Sequence, residues 1–387
     1  MILDNFLKYQ IKTILFFWAI IVFSVGFAGE AHAAWYDASW GYRKPITITN
    51  NTNSVLANFQ VAIPAIYVAS MNANFSDVRF TDSNGTTLLS NWTEVVNNSV
   101  SSTLWVKVPS IPTDSVATIY MYYGNAGATT TSDIDTTFLF GDDFPGDSLN
   151  TSTKWSVKIG GFGGGATVSG GIMSLTTYVN GIDSKTYTLP GSTILEASVK
   201  IGNSATLGRA LGAVTDNVAN KPNVPSFFLP NEAAGIELST AIAPPRIVAY
   251  SQGDQSSDSA SIVIPPDYSA YHRYVIKYVE SSQADYYYDS TSGTINTVGV
   301  IPPASRELHP AFQFNQANSG GDQGIFVDWM FVREYAATDP SVFIGAEEVN
   351  SQGVPEFKTW VLLITLIAGA GFAFNLKRQM DRSSLAT

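Results

Sequence analysis

Thr103-Leu104-Trp105-Val106-Lys107-Val108 and Ala117-Thr118-Ile119-Tyr120-Met121-Tyr122-Tyr123 decide the fold class. Apolar and other residues alternate along both, β-branched and aromatic types dominate, and Pro109 and Gly124 close them. That is the pattern of a strand with one buried face. Pro45–Asn50, Phe59–Pro64 and Asp77–Thr81 repeat it upstream. Between the two ends of the chain no dozen-residue window sustains a 3.6-residue apolar period. The expected class is all-β, with two β-sandwich domains of jelly-roll type.

The ends read differently. Lys8 and Lys12 precede an apolar run from Thr13 to Ala28, and Ala31-His32-Ala33 supplies small residues at a cleavage position. Residues 1–33 therefore read as a signal peptide for signal peptidase, with an uncleaved anchor as the alternative. Near the C-terminus, an apolar stretch from Trp360 to Leu376 is followed by Lys377, Arg378 and Arg382. Seventeen residues at about 1.5 Å each just cover a hydrocarbon core, and the basic end stays cytoplasmic. The expected location is the cell surface or the membrane, with the domains outside. The tail, residues 354–387, begins Val354-Pro355-Glu356-Phe357. It resembles the Pro-Glu-Phe variants of the sorting signals cut by exosortases and archaeosortases; a plain single-pass anchor is the alternative.

Composition narrows the function. The 387 residues are 45% hydrophobic and 14% charged, with three histidines and no cysteine. Disulfide scaffolds, thiolate nucleophiles and zinc ribbons are excluded. The net charge is -11, and residues 34–353 alone hold 15 basic and 28 acidic residues, net -13. Such a surface repels a polyanion, so nucleic acid is not expected as a partner. Once His32 leaves with the signal, His272 and His309 remain, neither beside a serine motif. The glycine-dense Gly160–Gly165 lacks the lysine and following helix of a phosphate loop.

A boundary is expected near Gly124-Asn125-Ala126-Gly127, giving a first domain over 34–127 and a second over 136–349. The first carries Trp35-Tyr36-Asp37, Trp40-Gly41-Tyr42-Arg43-Lys44-Pro45, Asp77-Val78-Arg79-Phe80, Trp105-Val106-Lys107-Val108-Pro109 and Ile119-Tyr120-Met121-Tyr122-Tyr123-Gly124-Asn125. In this order they resemble the family called domain of unknown function 2341, which implies an exported, multidomain surface protein and no catalytic residue. The second domain opens with Phe140-Gly141-Asp142-Asp143-Phe144 and closes with Phe326-Val327-Asp328-Trp329-Met330-Phe331-Val332-Arg333. This is similar to the concanavalin A-like lectin/glucanase superfamily. The resemblance implies a two-sheet jelly roll whose first and last strands are neighbours.

Retaining glycoside hydrolysis needs two carboxylates about 5–5.5 Å apart on one face. Glu237 stands alone in Gly235-Ile236-Glu237-Leu238, and no Glu-x-Asp-x-Glu spacing occurs. The chain is therefore expected not to be an enzyme. The expected function is recognition of a surface glycan or another envelope component; a structural role in the envelope and a hydrolase with an unrecognised acidic pair are the alternatives. Tyr274, Tyr286 and Tyr288 are the candidate ligand-binding residues, since sugars stack on aromatic rings and Tyr286 and Tyr288 share a strand face. Asp142, Asp143 and Asp328, brought together at the ends of the jelly roll, are candidate ligands for calcium, a cation that prefers hard oxygen donors. Trp35, Trp40, Trp92 and Trp105 are expected to pack rather than bind.

Overall fold

The computed structural model describes residues 34–350 apart from 160–164, 177–179, 203–208, 216–232, 240–245, 253–256, 263–269, 281, 290–295, 299–307 and 315–323. The signal, the sorting tail and most of the Gly160–Gly165 loop lie outside the described residues. Among those described, no helix is long and apolar enough to cross a membrane.

The first sandwich is built from β1 (Tyr42–Asn50), β2 (Leu56–Ile66), β3 (Arg79–Thr81), β4 (Asn91–Asn97), β5 (Ser101–Ile111) and β6 (Ser115–Tyr123). β1, β6 and β3 lie side by side in one sheet, and β2, β5 and β4 form the other. Alternation turns Ile46, Ile48, Ile119 and Met121 toward Phe59, Val61, Ile63, Leu104, Val106 and Val108, all buried in one core. The family-like motifs meet at Asp77, which is fully buried. Its carboxylate accepts from the backbone N–H of Asn72 at 2.9 Å and of Gly124 at 2.7 Å, while its carbonyl accepts from the Trp40 indole at 2.7 Å. Gly124 has φ +88°, and a Cβ there would lie 2.6 Å from the Tyr42 ring, so glycine is required.

A short helix, α1 (Ile134–Thr137), leads out of this domain; Asp133 caps it by accepting from the Thr136 N–H at 2.9 Å. The second sandwich follows. One of its sheets orders β19 (Asn296–Val298), β18 (Gln283–Tyr288), β17 (His272–Val279), β12 (Thr193–Ile201), β21 (Ile325–Glu334), β10 (Ile172–Leu175) and β9 (Ala166–Ser169), with β7 (Phe140–Asp142) also on β21. The other orders β16 (Ser257–Ile262), β15 (Arg246–Gln252), β14 (Ala233–Ser239), β13 (Arg209–Thr215), β20 (Leu308–Phe314), β11 (Asn180–Ser184) and β8 (Trp155–Ile159). The first and last strands do pair, Met330 opposite Asp142. Between the sheets lie Trp155, Ile182, Leu195, Ile276, Phe312, Phe314, Met330 and Val332.

The second domain does not run to residue 349. β22 (Ser341–Ile344) and β23 (Glu348–Val349) leave the jelly roll and pair with β1, Ile46 opposite Ile344 and Tyr42 opposite Val349. The first sheet is thus completed by chain that follows the second domain, and the jelly roll is an insertion into the first sandwich. Alternation alone does not show this, because a strand's pattern reports a buried face and not which sheet buries it.

Candidate functional site

Among the described residues, a group of linked ionisable side chains lies where the two sandwiches meet. Along β21 the inward residues are Ile325 and Val327, then Met330 and Val332. The phase changes because Ser198 pairs with Trp329 and Val199 with Val327, leaving Asp328 as a bulge residue without a partner on β12. The shift aims Trp329 and Phe331 at Trp92, Trp105, Ile134 and Phe138, a buried cluster drawn from both domains. Phe138 and Phe331 stack with ring centroids 4.0 Å apart.

Beside the rings, Glu196 is fully buried and accepts from Arg333 Nε at 2.6 Å and Arg273 Nε at 2.8 Å. Arg333 also grips both oxygens of Asp339, at 2.8 and 3.0 Å. Arg273 reaches across to Glu94 of the first sandwich at 2.7 Å, and the Trp105 indole donates to that same carboxylate at 2.6 Å. Burial would raise the Glu196 pKa, but the two guanidiniums more than offset it and hold the carboxyl at about 2. A carboxylate pinned in that way neither donates a proton nor is free to attack. The cluster ties the two sandwiches together.

The candidate tyrosines belong to the jelly-roll core. Tyr274 and Tyr286 are 5% and 0% exposed, and Tyr288 packs against the same core, edge-on to Tyr274. Tyr286 and Tyr288 do share a face, as alternation requires, but it is the inward one. Rings placed there offer no open platform to a sugar. Burial pushes the Tyr274 hydroxyl up.

The three aspartates gather near the joint without forming a metal site. Asp142 accepts from the Trp155 indole at 2.7 Å and from the Phe144 N–H at 2.8 Å. Asp143 accepts from the Trp92 indole of the first sandwich at 3.0 Å. Burial raises the pKa of Asp142 and of Asp328, and in Asp328 the charge of Asp143 adds to it. Among the described residues no group of three His, Asp or Glu is arranged to hold a metal ion.

The face of the second sheet turned away from the core is the remaining candidate. On β14, register sets Glu237 between Ala210 of β13 and Val248 of β15, and Gly235 between Gly212 and Tyr250. Glycine inside a strand costs stability and often marks close approach of a ligand or another backbone. Neither β13 nor β15 contains an acidic residue, so the neighbouring strands supply Glu237 with no second carboxylate. Further along the sheet, Asp183 of β11 is 4% exposed and His309 of β20 is 7% exposed; His309 Nδ1 lies 2.9 Å from the Ser184 carbonyl and 3.2 Å from its hydroxyl.

A family model, "Domain of unknown function (DUF2341)", matches residues 74–158, which run from β3 through the joint to β8. No curated protein matches the chain. Solved structures do resemble it. A laminarinase from Rhodothermus marinus is 13% identical, TM-score 0.41, over 51% of this chain and 97% of its own. The endo-beta-1,3-glucanase from Pyrococcus furiosus is 12% identical, TM-score 0.38, over 52% and 95%. A Bacillus licheniformis beta-glucanase is 13% identical, TM-score 0.38, over 51% and 98%. By its own strand order the second domain is an all-β sandwich of two sheets, and these structures are what it resembles. The expectation of a chain that is not an enzyme is corrected here: the structures it resembles bear the names of enzymes, a laminarinase and glucanases.

Proposed function

We propose that the protein is an exported, membrane-anchored surface protein whose jelly roll binds and cleaves a polysaccharide lying across the β14 side of its second sheet. The observation that carries this reading is the placement of Glu237, a carboxylate on a strand next to the middle of that sheet, beside Gly235, Gly212 and Ala210. On the β13 side glycine and alanine flank it, and glycine inside a strand often marks close approach of a ligand. Glu237 would serve as one member of the acid and nucleophile pair. The strands beside it lack the other. The printed names of the similar structures suggest β-glucans as the first substrates to try.

The full chain should be incubated with laminarin, mixed-linkage β-glucan and agarose, and released reducing ends measured. Release from one of them, reduced at least about 100-fold in Glu237→Gln while pull-down on the insoluble polysaccharide persists, is the expected result. Release that Glu237→Gln leaves unchanged, or no release from any polysaccharide, overturns the assignment.

A further inference from the structure

Both termini of the described chain leave the first sandwich at the same end. Ala34 is held where β1 begins, its carbonyl accepting from Arg43 Nη1 at 2.9 Å and from the Tyr122 hydroxyl at 3.2 Å. Asn350 is held there too: its N–H donates to the Gly41 carbonyl at 2.9 Å, and its side chain donates to the Trp40 carbonyl at 3.1 Å. β2 and β4 finish at this end and β5 starts there, with Ile66 opposite Ser101 and Asn97 opposite the same residue.

The same end displays apolar side chains. Ile66 is 66% exposed, Val100 63% and Val349 63%, with Val95 and Val96 just above 40%. Trp35, Tyr36 and Tyr67 stand half-buried among them. Segments 34–42, 65–76, 95–101 and 347–350 contain no lysine or arginine; they hold Asp37, Glu347 and Glu348, and the neighbouring Arg43 is buried and paired with Glu348, so nothing there is built to attract a polyanion. Only nine residues separate Asn350 from Trp360, where the C-terminal apolar stretch begins, a tether of at most about 35 Å.

We infer that this end of the first sandwich rests directly on the lipid bilayer, with Ile66, Val100 and Val349 in the interfacial layer and Trp35, Tyr36 and Tyr67 at headgroup level. Apolar tips gain by leaving water, and tryptophan and tyrosine favour the membrane–water boundary. A tip whose exposed turns carry no basic residue binds through apolar contact, so the contact does not draw on anionic lipid and needs no low salt. The inference rests on the membrane-anchored reading above, and adds to it an orientation: the first sandwich is the foot, with its far end and the β14 sheet of the jelly roll free of the tether.

The chain has no cysteine, so single cysteines carry a probe without background. Full-length protein in phosphatidylcholine vesicles, labelled with an environment-sensitive dye at Ile66→Cys or Val100→Cys, is compared with Val55→Cys and Val116→Cys. Those two are also exposed, at 58% and 51%, but sit at the opposite end of the strands, about 26 Å away at about 3.3 Å per residue. Brominated lipid should quench the first pair at least about threefold more than the second, equally at low and high salt. Equal quenching of both pairs on protein that floats with the vesicles overturns the inference and leaves the anchor intact. Protein that does not float overturns the anchored reading as well. Shielding of Val100→Cys without quenching, together with disulfide-linked dimers, identifies a second copy as the occupant and also overturns it.

Discussion

The two faces of the sheet formed by β17, β12 and β21 are stabilised in different ways. Inward, Leu195, Ile276, Tyr286, Met330 and Val332 join a continuous apolar core in which each side chain has many neighbours. Outward, Glu196, Arg273, Arg333, Trp329 and Phe331 meet specific partners, three of them from the other domain, Glu94, Trp92 and Trp105. Apolar burial is non-directional and tolerates exchange of similar volumes, whereas a buried charge network depends on every member. The inward face makes the jelly roll fold; the outward face fixes which surface of it meets the first sandwich.

The sharpest way to break this contrast is Glu196→Ala, which leaves two guanidiniums facing each other in a buried site. It should destabilise the protein by about 3–5 kcal/mol in denaturant unfolding, and a cost under about 1 kcal/mol would mean that the network carries little. Acid should reach the same residue. The Glu196 pKa falls from about 4.3 when unfolded to about 2 when folded. Its contribution, about 3 kcal/mol, is therefore present above pH 4.3 and lost as pH falls toward about 2. Asp142 and Asp328 have raised values and oppose that trend, so the measurement is the difference between wild type and Glu196→Gln across this range. A difference independent of pH would refute the assignment.

Next in size, Met330→Leu on the inward face conserves volume and should cost less than about 1.5 kcal/mol with no change in domain coupling followed by limited proteolysis. A larger loss would show that the inward face is as demanding as the outward one. The smallest effect belongs to Glu348→Ala. Arg43 and Glu348 pair at 2.6 Å, but the glutamate side chain is 36% exposed. Thermal unfolding should register only about 0.2–1 kcal/mol.

Strand positions were legible because alternation is a local property. The five strands read in the first domain all form, each extended by one to several residues at its ends except β3, which starts two residues later at Arg79. Placement of the tryptophans was legible in three of four cases: Trp40, Trp92 and Trp105 are buried, while Trp35 packs edge-on to Tyr122 and is half-buried. The candidate tyrosines were misplaced for the converse reason. Alternation states that Tyr286 and Tyr288 share a face, and only the packed sheets reveal that the face is the inner one. The cross-domain network carried one readable signal, the break at Asp328 between Val327 and Trp329 in an otherwise alternating strand. Its partner Glu94 lies 179 residues from Arg273, a pairing that no local pattern encodes.

By itself, the sequence determined the all-β class, the order of the two sandwiches and the exclusion of thiol chemistry, because side-chain periodicity and composition are properties of the chain alone. Tertiary structure decided that residues 341–349 return to complete the first sheet, that the bulge at Asp328 turns two aromatic rings and an arginine toward the other domain, and that both chain ends leave from one end of the first sandwich. Each of these is a contact between segments far apart in sequence, and the free energy that selects it exists only once both surfaces have formed.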